Sequence, residues 1–349
     1  MNWLRCFAIG MAGVAVAAAQ TPVADLNDLG NQATERRDYP AAESYFRKAV
    51  EEFRALGPDY DAHLAASLFN LGNVVCAEGK RTEGARYYEE ALVLHRRSLG
   101  PKHLRTMTNV NRMAVNYMTL GDVDRAESLY AEALPIEREL YADDVQLAHS
   151  LGGLASAHLL KRQTADVLPL AEEALEVARK TAGENSLDAA QMYANVAEIH
   201  RTFGRPDRAL PLYRKARSIC EKALGADDTR VLSILSQEAL ILMDEGKLTL
   251  AEQALNRALD GLGKNCPLCV TEVSIAENNL GLLRLKQKRY ADADRLLSHV
   301  LTLQEKYLTK PAREMADTLQ NLAVVREKEQ LHADAVRLQN RAATILGLR

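Results

Sequence analysis

Small and apolar residues recur along the chain at a nearly constant interval. A glycine or alanine inside an apolar stretch returns every 41 or 42 residues, at Gly30, Gly72, Ala114, Ala155, Ala197, Ala239, Gly281 and Ala323. A second small residue follows twelve positions later in every unit except the fourth, where Val167 stands, and a third series follows seven positions after that. Between these two series lies a position that is bulky in most units: Phe46, Tyr88, Tyr130, Ala171, Tyr213, Leu255, Leu297 and Gln339.

This pattern predicts a pair of helices in each unit. Two helices approach closely only where side chains are small, and a bulky residue fills the space beside the contact. Pro40 suits the first turn of a second helix, where a missing N–H costs little. Four units mark the turn between the helices with a glycine: Gly79, Gly121, Gly204 and Gly246. Each pair leaves an apolar face that only a neighbour can cover, so we expect an all-α solenoid of about eight helix-turn-helix repeats over residues 20–349.

The small–small–bulky–small signature resembles the tetratricopeptide repeat, and the resemblance extends over residues 23–349. The interval is longer than the 34 residues usual for that family and is similar to the repeats of the kinesin light chain. The linker of that repeat type is visible as Leu99-Gly100-Pro101-Lys102-His103 and as Leu224-Gly225-Ala226-Asp227-Asp228. The resemblance implies a right-handed superhelix whose first helices line a concave groove that binds other proteins.

The first nineteen residues have a different composition. A short positive segment ends at Arg5, an uncharged run extends from Cys6 to Ala19, and Ala17-Ala18-Ala19 supplies small residues before Gln20. This arrangement is typical of a secretory signal peptide, and the run is short for a membrane span. We therefore predict a signal peptide at residues 1–19 and an exported, periplasmic or secreted, mature chain with no membrane span. An uncleaved N-terminal anchor is the alternative.

Composition and charge point away from several classes of function. The chain has 349 residues, 47% of them hydrophobic, and a formal charge of −3 with both signs interspersed. No clustered basic face of the kind that binds nucleic acid is evident. The sequence contains neither His-Glu-x-x-His nor Gly-x-Ser-x-Gly, so we predict no enzyme activity, no cofactor and no metal site.

Asparagine recurs at one position that the family resemblance places in the groove. Two residues before the first small residue of each repeat stand Asp28, Asn70, Arg112, Gly153, Asn195, Gln237, Asn279 and Asn321. An amide both donates and accepts hydrogen bonds, so such a ladder can pair with the backbone of an extended segment of almost any sequence. Hydrogen bonding to the neighbouring repeat is the alternative, and the sequence leaves both open.

The first three repeats suggest a more specific site. Members of the family that clamp a carboxylate use Lys and Asn, then Asn, then Lys and Arg, and the matching positions here are Asn27 and Asn31, then Asn70, then Thr108 and Arg112. Both lysines are absent. One arginine with two amides can still hold a carboxylate, because a guanidinium binds it in a bidentate manner.

Cysteines provide the remaining candidate chemistry. Cys266 and Cys269 lie three positions apart in one linker, and in an exported protein a short-loop disulfide is the first interpretation. Inert thiols come second. Redox or metal chemistry comes last, because no strand pattern or second ligand pair accompanies them.

These observations predict an exported scaffold or adaptor that holds an extended segment of a partner protein. A structural protein that self-associates is the second hypothesis, and a redox or metal-binding protein built on Cys266 and Cys269 is the third.

Overall fold

A computed structural model describes residues 23–265, 270–307 and 313–347. These residues form sixteen α-helices and no strand. The first helices of the pairs are α1 (Val23–Glu35), α3 (Asp61–Ala77), α5 (Leu104–Thr119), α7 (Val145–Leu160), α9 (Leu187–Thr202), α11 (Thr229–Asp244), α13 (Val270–Lys286) and α15 (Arg313–Lys328). The second helices are α2 (Tyr39–Leu56), α4 (Arg81–Ser98), α6 (Val123–Leu140), α8 (Val167–Thr181), α10 (Pro206–Leu224), α12 (Leu248–Asn265), α14 (Tyr290–Tyr307) and α16 (His332–Ile345). The predicted all-α solenoid of eight helix pairs is confirmed.

The repeated small residues are the contact points within each pair. A Cβ atom built on Gly30 would lie 2.6 Å from the Phe46 ring, and one on Gly72 would lie 2.8 Å from the Tyr88 ring. Gly281 approaches Leu297 in the same way. The bulky residue of each pair therefore occupies the volume that its small partner leaves free, as the sequence pattern predicts.

Every turn between the two helices of a pair uses a residue in the left-handed region. The four glycines predicted to mark it have positive φ, for example 83° at Gly79 and 76° at Gly121. The other four repeats place a residue with a side chain at the same position: Arg37, Arg162, Lys288 and Gln330, with φ between 57° and 64°. The turn is thus common to all eight repeats, although glycine marks only half of them.

Linker residues cap the helices that follow. Asp144 accepts a hydrogen bond from the Gln146 amide at 2.8 Å, and Asp228 accepts one from the Arg230 amide at 3.0 Å. Ser186 caps α9 in the same manner, at 3.0 Å from the Ala189 amide. These caps satisfy N–H groups that a helix leaves without an internal partner. They also explain why the linker motif ends in Asp or His.

Ion pairs connect the second helices of successive repeats. Arg54 contacts Glu90 at 2.5 Å, Arg138 contacts Glu173 at 2.6 Å, and Arg96 contacts Glu132 between them. These side chains lie on what we call the outer surface, formed by the exposed faces of the second helices. The surface formed by the exposed faces of the first helices is called the inner surface.

Two sequence predictions lie outside the described residues, namely the signal peptide at 1–19 and the pair Cys266 and Cys269. Cys76 and Cys220 are buried as free thiols, and burial raises the pKa of both. No helix in the part of the chain described here is long and apolar enough to span a bilayer.

Candidate functional site on the inner surface

Helix α5 presents two arginines on the inner surface. Arg105, Thr108 and Arg112 are spaced by three and four residues, so they share one face of the helix. Neither arginine side chain forms an ion pair or a hydrogen bond with any other described residue. Helix α5 contains no Asp or Glu, and neither does the following first helix, α7. This part of the inner surface is therefore basic without an internal counter-charge.

A cavity of about 660 Å³ opens beside these residues. Its lining combines polar groups from three consecutive first helices with the apolar side chains of Val115, Met118 and Met192. The polar groups include Arg112 of α5, and Asn195 of α9. A mainly apolar cavity with a few convergent polar groups is typical of a binding site.

Two glycines keep this cavity open. A Cβ atom on Gly153 would lie 2.2 Å from Tyr130 Cζ, and one on Gly152 would lie 2.9 Å from Met192 Sδ. Glycine inside a helix is less favourable than alanine by about 1 kcal/mol. Consecutive glycines in the middle of α7 thus carry a cost in helix stability, and they leave room for Tyr130 and for the cavity.

Tyr130 differs from the tyrosines at the same position of other repeats. The Tyr88 hydroxyl donates to Asn73 Oδ1 at 2.8 Å, and the Tyr213 hydroxyl donates to Glu198 Oε2 at 2.6 Å. In the third repeat the corresponding acceptor position holds Val115. The Tyr130 hydroxyl has no hydrogen bond among the described residues, and Tyr130 lines the cavity instead. Burial raises the pKa of Tyr130.

A second, smaller cavity of about 280 Å³ lies between α3 and α5. Asn70, His95, Arg105 and Thr108 supply its polar lining. His95 is only 2% exposed, and neither ring nitrogen has a hydrogen-bond partner. Burial, with a smaller contribution from the nearby Arg105 charge, lowers the pKa of His95 to about 4, so the ring is neutral at pH 7.

His95 and Glu137 occupy the same position of two successive repeats. Four other repeats fill that position with buried apolar residues, Phe53, Ala178, Cys220 and Leu262, and the seventh has Gln304. Glu137 is fully buried, and Asn111 Nδ2 donates to its Oε1 at 2.8 Å. Burial raises the pKa of Glu137. Polar exceptions to an apolar core position therefore flank α5 on both sides.

The predicted clamp residues lie in line along the inner surface. Asn70 Nδ2 lies 3.5 Å from Asn31 Oδ1, so these two amides meet across the first repeat boundary. Arg112 lies on α5, the first helix of the third repeat. Asn27 accepts a hydrogen bond from the Ser67 hydroxyl at 3.0 Å, and therefore contributes to the contact between repeats.

The later members of the asparagine ladder are not equivalent. Asn195 accepts a hydrogen bond from Gln191 at 2.9 Å and lines the large cavity. Gln237 and Asn321 are half-buried. Asn279 is buried and donates to the Ser236 carbonyl at 3.3 Å and to its hydroxyl at 3.1 Å. Asn279 thus joins adjacent repeats, whereas Asn195 borders the cavity.

Three residues of this region were not among the predicted site residues: His95, Tyr130 and Glu137. Aligning the repeats at the His95 position would have exposed two of them, because a histidine and a glutamate stand there where five other repeats have apolar residues and the seventh has Gln304. The isolation of the Tyr130 hydroxyl depends on Val115 and Gly153, which are distant from it in sequence. Within the described residues, no three His, Cys, Asp or Glu side chains are grouped so that they could hold a metal ion.

Comparison with known proteins identifies the repeat. The family model described as Tetratricopeptide repeat matches residues 105–180, 188–264 and 272–346, and a second model of the same description matches residues 64–105. The chain belongs to the tetratricopeptide repeat family. The predicted family is thereby confirmed, and its repeats form a protein–protein interaction scaffold, an architecture that is typically not enzymatic.

Similar proteins share this architecture at low sequence identity. A Clustered mitochondria protein homolog from Candida albicans is 30% identical over 166 residues, which are 47% of this chain and 12% of that protein. The chain thus spans about an eighth of that relative's length. A Rap protein complexed with Competence and Sporulation Factor matches 93% of this chain and 85% of its own, with 15% identity and a TM-score of 0.70. The quorum sensor NprR from B. thuringiensis, in its apo form, matches 93% and 87%, with 15% identity and a TM-score of 0.64.

Proposed function

We propose that this tetratricopeptide repeat protein is an exported scaffold that holds an extended segment of a partner protein on its inner surface, across α3, α5 and α7. The observation that carries the proposal is the contrast in ion pairing. Arg54, Arg96 and Arg138 of the outer surface are paired with glutamates of the next repeat, whereas Arg105 and Arg112 have no ion pair among the described residues, and Arg112 lines a cavity of about 660 Å³.

The chemistry of this surface suits a protein segment. Amides of Asn31, Asn70 and Asn195 supply donors and acceptors for an extended backbone, and Arg112 supplies a cation for a carboxylate. The large cavity can take an apolar side chain between Met118 and Met192. A Rap protein of the same architecture is known in complex with Competence and Sporulation Factor, which supports a solenoid of this shape as a binding surface.

A capture experiment tests the proposal with matched variants. The mature chain is immobilised and exposed to envelope and secreted fractions, beside a triple alanine variant of Asn31, Asn70 and Arg112. A triple alanine variant of Arg54, Arg96 and Arg138 on the outer surface is the control. We expect one protein to be retained by the parent and the control and lost by the inner-surface variant. Equal recovery by all three would refute an inner-surface site.

Self-association is the second candidate, and a specific observation favours it. The last repeat exposes Val324, Leu331 and Val336, each at 42% or more. If these residues join copies of the chain, the mass measured by sedimentation will rise with concentration, and replacing Val336 by Glu will abolish that rise. A constant monomer mass would exclude this candidate.

Export is tested separately from binding. We expect the full chain to accumulate outside the cytoplasm after removal of residues 1–19, and a chain lacking those residues to remain inside. Mass spectrometry of the exported protein should show an N-terminus at Gln20. An intact N-terminus in a membrane fraction would support an anchor instead.

A further inference from the structure

The solenoid passes beside itself after five repeats. A cavity of about 480 Å³ is lined by Lys80, in the turn of the second repeat, and by Thr271, at the start of the seventh. The first and sixth repeats approach each other in the same way. Burial raises the pKa of Asp228, but hydrogen bonds from Arg230 and the charge of Arg37, in the first turn, lower it overall. The turn of one repeat thus lies beside the linker that precedes the repeat five further along.

The two edges that meet in this way differ in charge. The turn edge consists of the turns within the helix pairs, and its eight turns contain nine Lys or Arg and six Asp or Glu. The linker edge consists of the linkers between successive pairs. Its five fully described linkers contain six Asp or Glu and one lysine, Lys102. These linkers are residues 57–60, 99–103, 141–144, 182–186 and 225–228. Charge complementarity of this kind favours contact between the two edges and fixes its register.

Most of both edges has no counterpart within one chain. Among the eight described repeats, an offset of five leaves the turns of repeats four to eight without a linker to face, and the linkers before repeats two to five without a turn. Arg205 and Lys288 are exposed in those turns and form no ion pair with a described residue. Asp59 is exposed in its linker, also with no ion pair to a described residue. Asp143 forms only an exposed pair with Lys180, at 2.9 Å.

We infer that the turn edge of one copy of the chain binds the linker edge of a second copy, which continues the superhelix beyond the eighth repeat. The first repeat of the second copy then takes the ninth place. The same offset of five sets Arg205 of one copy against Asp59 of the next. It likewise sets Lys288 against Asp143 of the next copy.

The exception on the linker edge agrees with this register. Lys102 of the second copy faces the turn of the sixth repeat, which contains Glu245. A contact between two different surfaces of identical chains does not close on itself, so it produces an open series of oligomers. This inference goes beyond the scaffold proposal and does not depend on it.

Sedimentation of the mature chain tests the contact directly. At low ionic strength we expect the average mass to rise with concentration and to exceed that of two chains. In about 1 M sodium chloride the Debye length is about 3 Å, so the mass should fall towards that of one chain. The mass of a single chain at every concentration would overturn the inference, and so would association that high salt leaves unchanged.

Charge reversal identifies the edges. Arg205→Glu and Asp59→Arg each replace an attraction by a repulsion, and each should raise the dissociation constant of the contact about ten-fold. A chain that carries both changes has the pair with its signs exchanged, so association should return. Arg86→Glu is the control, because Arg86 is an exposed residue of α4 outside both edges, and it should leave association unchanged. A double variant that associates no better than either single variant would refute the pairing.

Two other results would assign these surfaces differently. If Val336→Glu abolishes association while Arg205→Glu leaves it unchanged, the apolar residues of the last repeat join the copies and the inference fails. It also fails if the chain does not associate and instead binds vesicles of phosphatidylglycerol through Arg205. None of the substituted residues lies on the inner surface, so capture of a partner there should be the same in every variant, and the two proposals fail independently.

Discussion

On the outer surface, Arg54 and Arg138 each reach a glutamate of the next repeat, whereas on the inner surface Arg105 and Arg112 reach no carboxylate. The outer pairs are exposed and contribute little to stability individually, because solvent screens them. Each pair nevertheless neutralises its own arginine. The inner surface around α5 retains its charge, because the arginines there are unpaired whereas Arg54 and Arg138 are paired.

The comparison extends to the buried positions beneath each surface. Core positions of most repeats are apolar, but His95 and Glu137 are polar side chains buried on either side of α5, and the hydroxyl of the buried Tyr130 has no hydrogen bond with a described residue. Burial of polar groups with incomplete hydrogen bonding is unfavourable for folding. These groups show that the buried positions beside α5 depart from the repeat pattern, as His200 and Gln304 do in later repeats.

The largest expected effect tests the packing beneath the inner surface. Gly153→Ala should lower the free energy of unfolding by about 2–3 kcal/mol, because the new Cβ would lie 2.2 Å from the buried Tyr130 ring. Urea unfolding measures this. Gly263→Ala is the control, since a Cβ there meets no atom within 4 Å, and it should stabilise α12 by up to about 1 kcal/mol. In a chain that already carries Tyr130→Leu, Gly153→Ala should lower the free energy of unfolding by much less. Additivity of the two changes would contradict this account.

The next largest expected effect is the pH dependence that His95 gives to the free energy of unfolding. Because burial lowers the pKa of His95 to about 4, the unfolded chain binds more protons than the folded chain between that value and about 6.5. The stability contributed by the neutral ring is therefore lost as the pH falls through this window. Between pH 7 and pH 5 the loss should be about 2 kcal/mol.

The His95→Phe variant, which copies Phe53, should lack that part of the pH dependence. Urea unfolding of both proteins at the two pH values gives the comparison. Parallel pH profiles for the parent and the variant would show that His95 is not held neutral by burial.

A third test concerns the turn that joins the first helix of each pair to the second. Arg162 adopts φ of 57° where other repeats have glycine. A residue with a side chain is strained there by about 1–2 kcal/mol, whereas glycine is not, although glycine gains more entropy on unfolding. Arg162→Gly should therefore stabilise the chain by about 1 kcal/mol, and Gly121→Ala should destabilise it by a similar amount. Thermal unfolding measures the melting temperature of both variants. Melting temperatures that shift in the same direction would contradict this explanation.

The smallest expected effect addresses the arginines themselves. Arg96→Ala should cost at most about 0.5 kcal/mol, because an exposed pair is screened, and Arg112→Ala should change stability by less still, because it breaks no ion pair. Partner binding should show the reverse. Arg112→Ala should weaken binding of the captured partner, whereas Arg96→Ala should leave it unchanged. Equal binding losses in the two variants would remove the distinction between the surfaces.

Much of this molecule was predictable from the spacing of its residues. The small and bulky series predicted the helix pairs and their contacts, since a glycine such as Gly72 and a ring such as Tyr88 must share one volume. The turn was predicted in only four repeats, because Arg37 and Arg162 adopt the left-handed conformation without the residue that signals it. The asparagine ladder was predicted as a set, yet Asn279 is buried between repeats and Asn195 borders a cavity.

The sequence by itself determined the repeat, its helices and their order, because each of these depends on contacts at a fixed interval along the chain. Only the tertiary structure decided which polar groups are left without partners. Whether Arg112 lacks a carboxylate, or the Tyr130 hydroxyl an acceptor, depends on side chains from other helices that stacking brings together. Such contacts follow no interval in the sequence, and so the chemistry of the inner surface emerges only when the repeats are assembled.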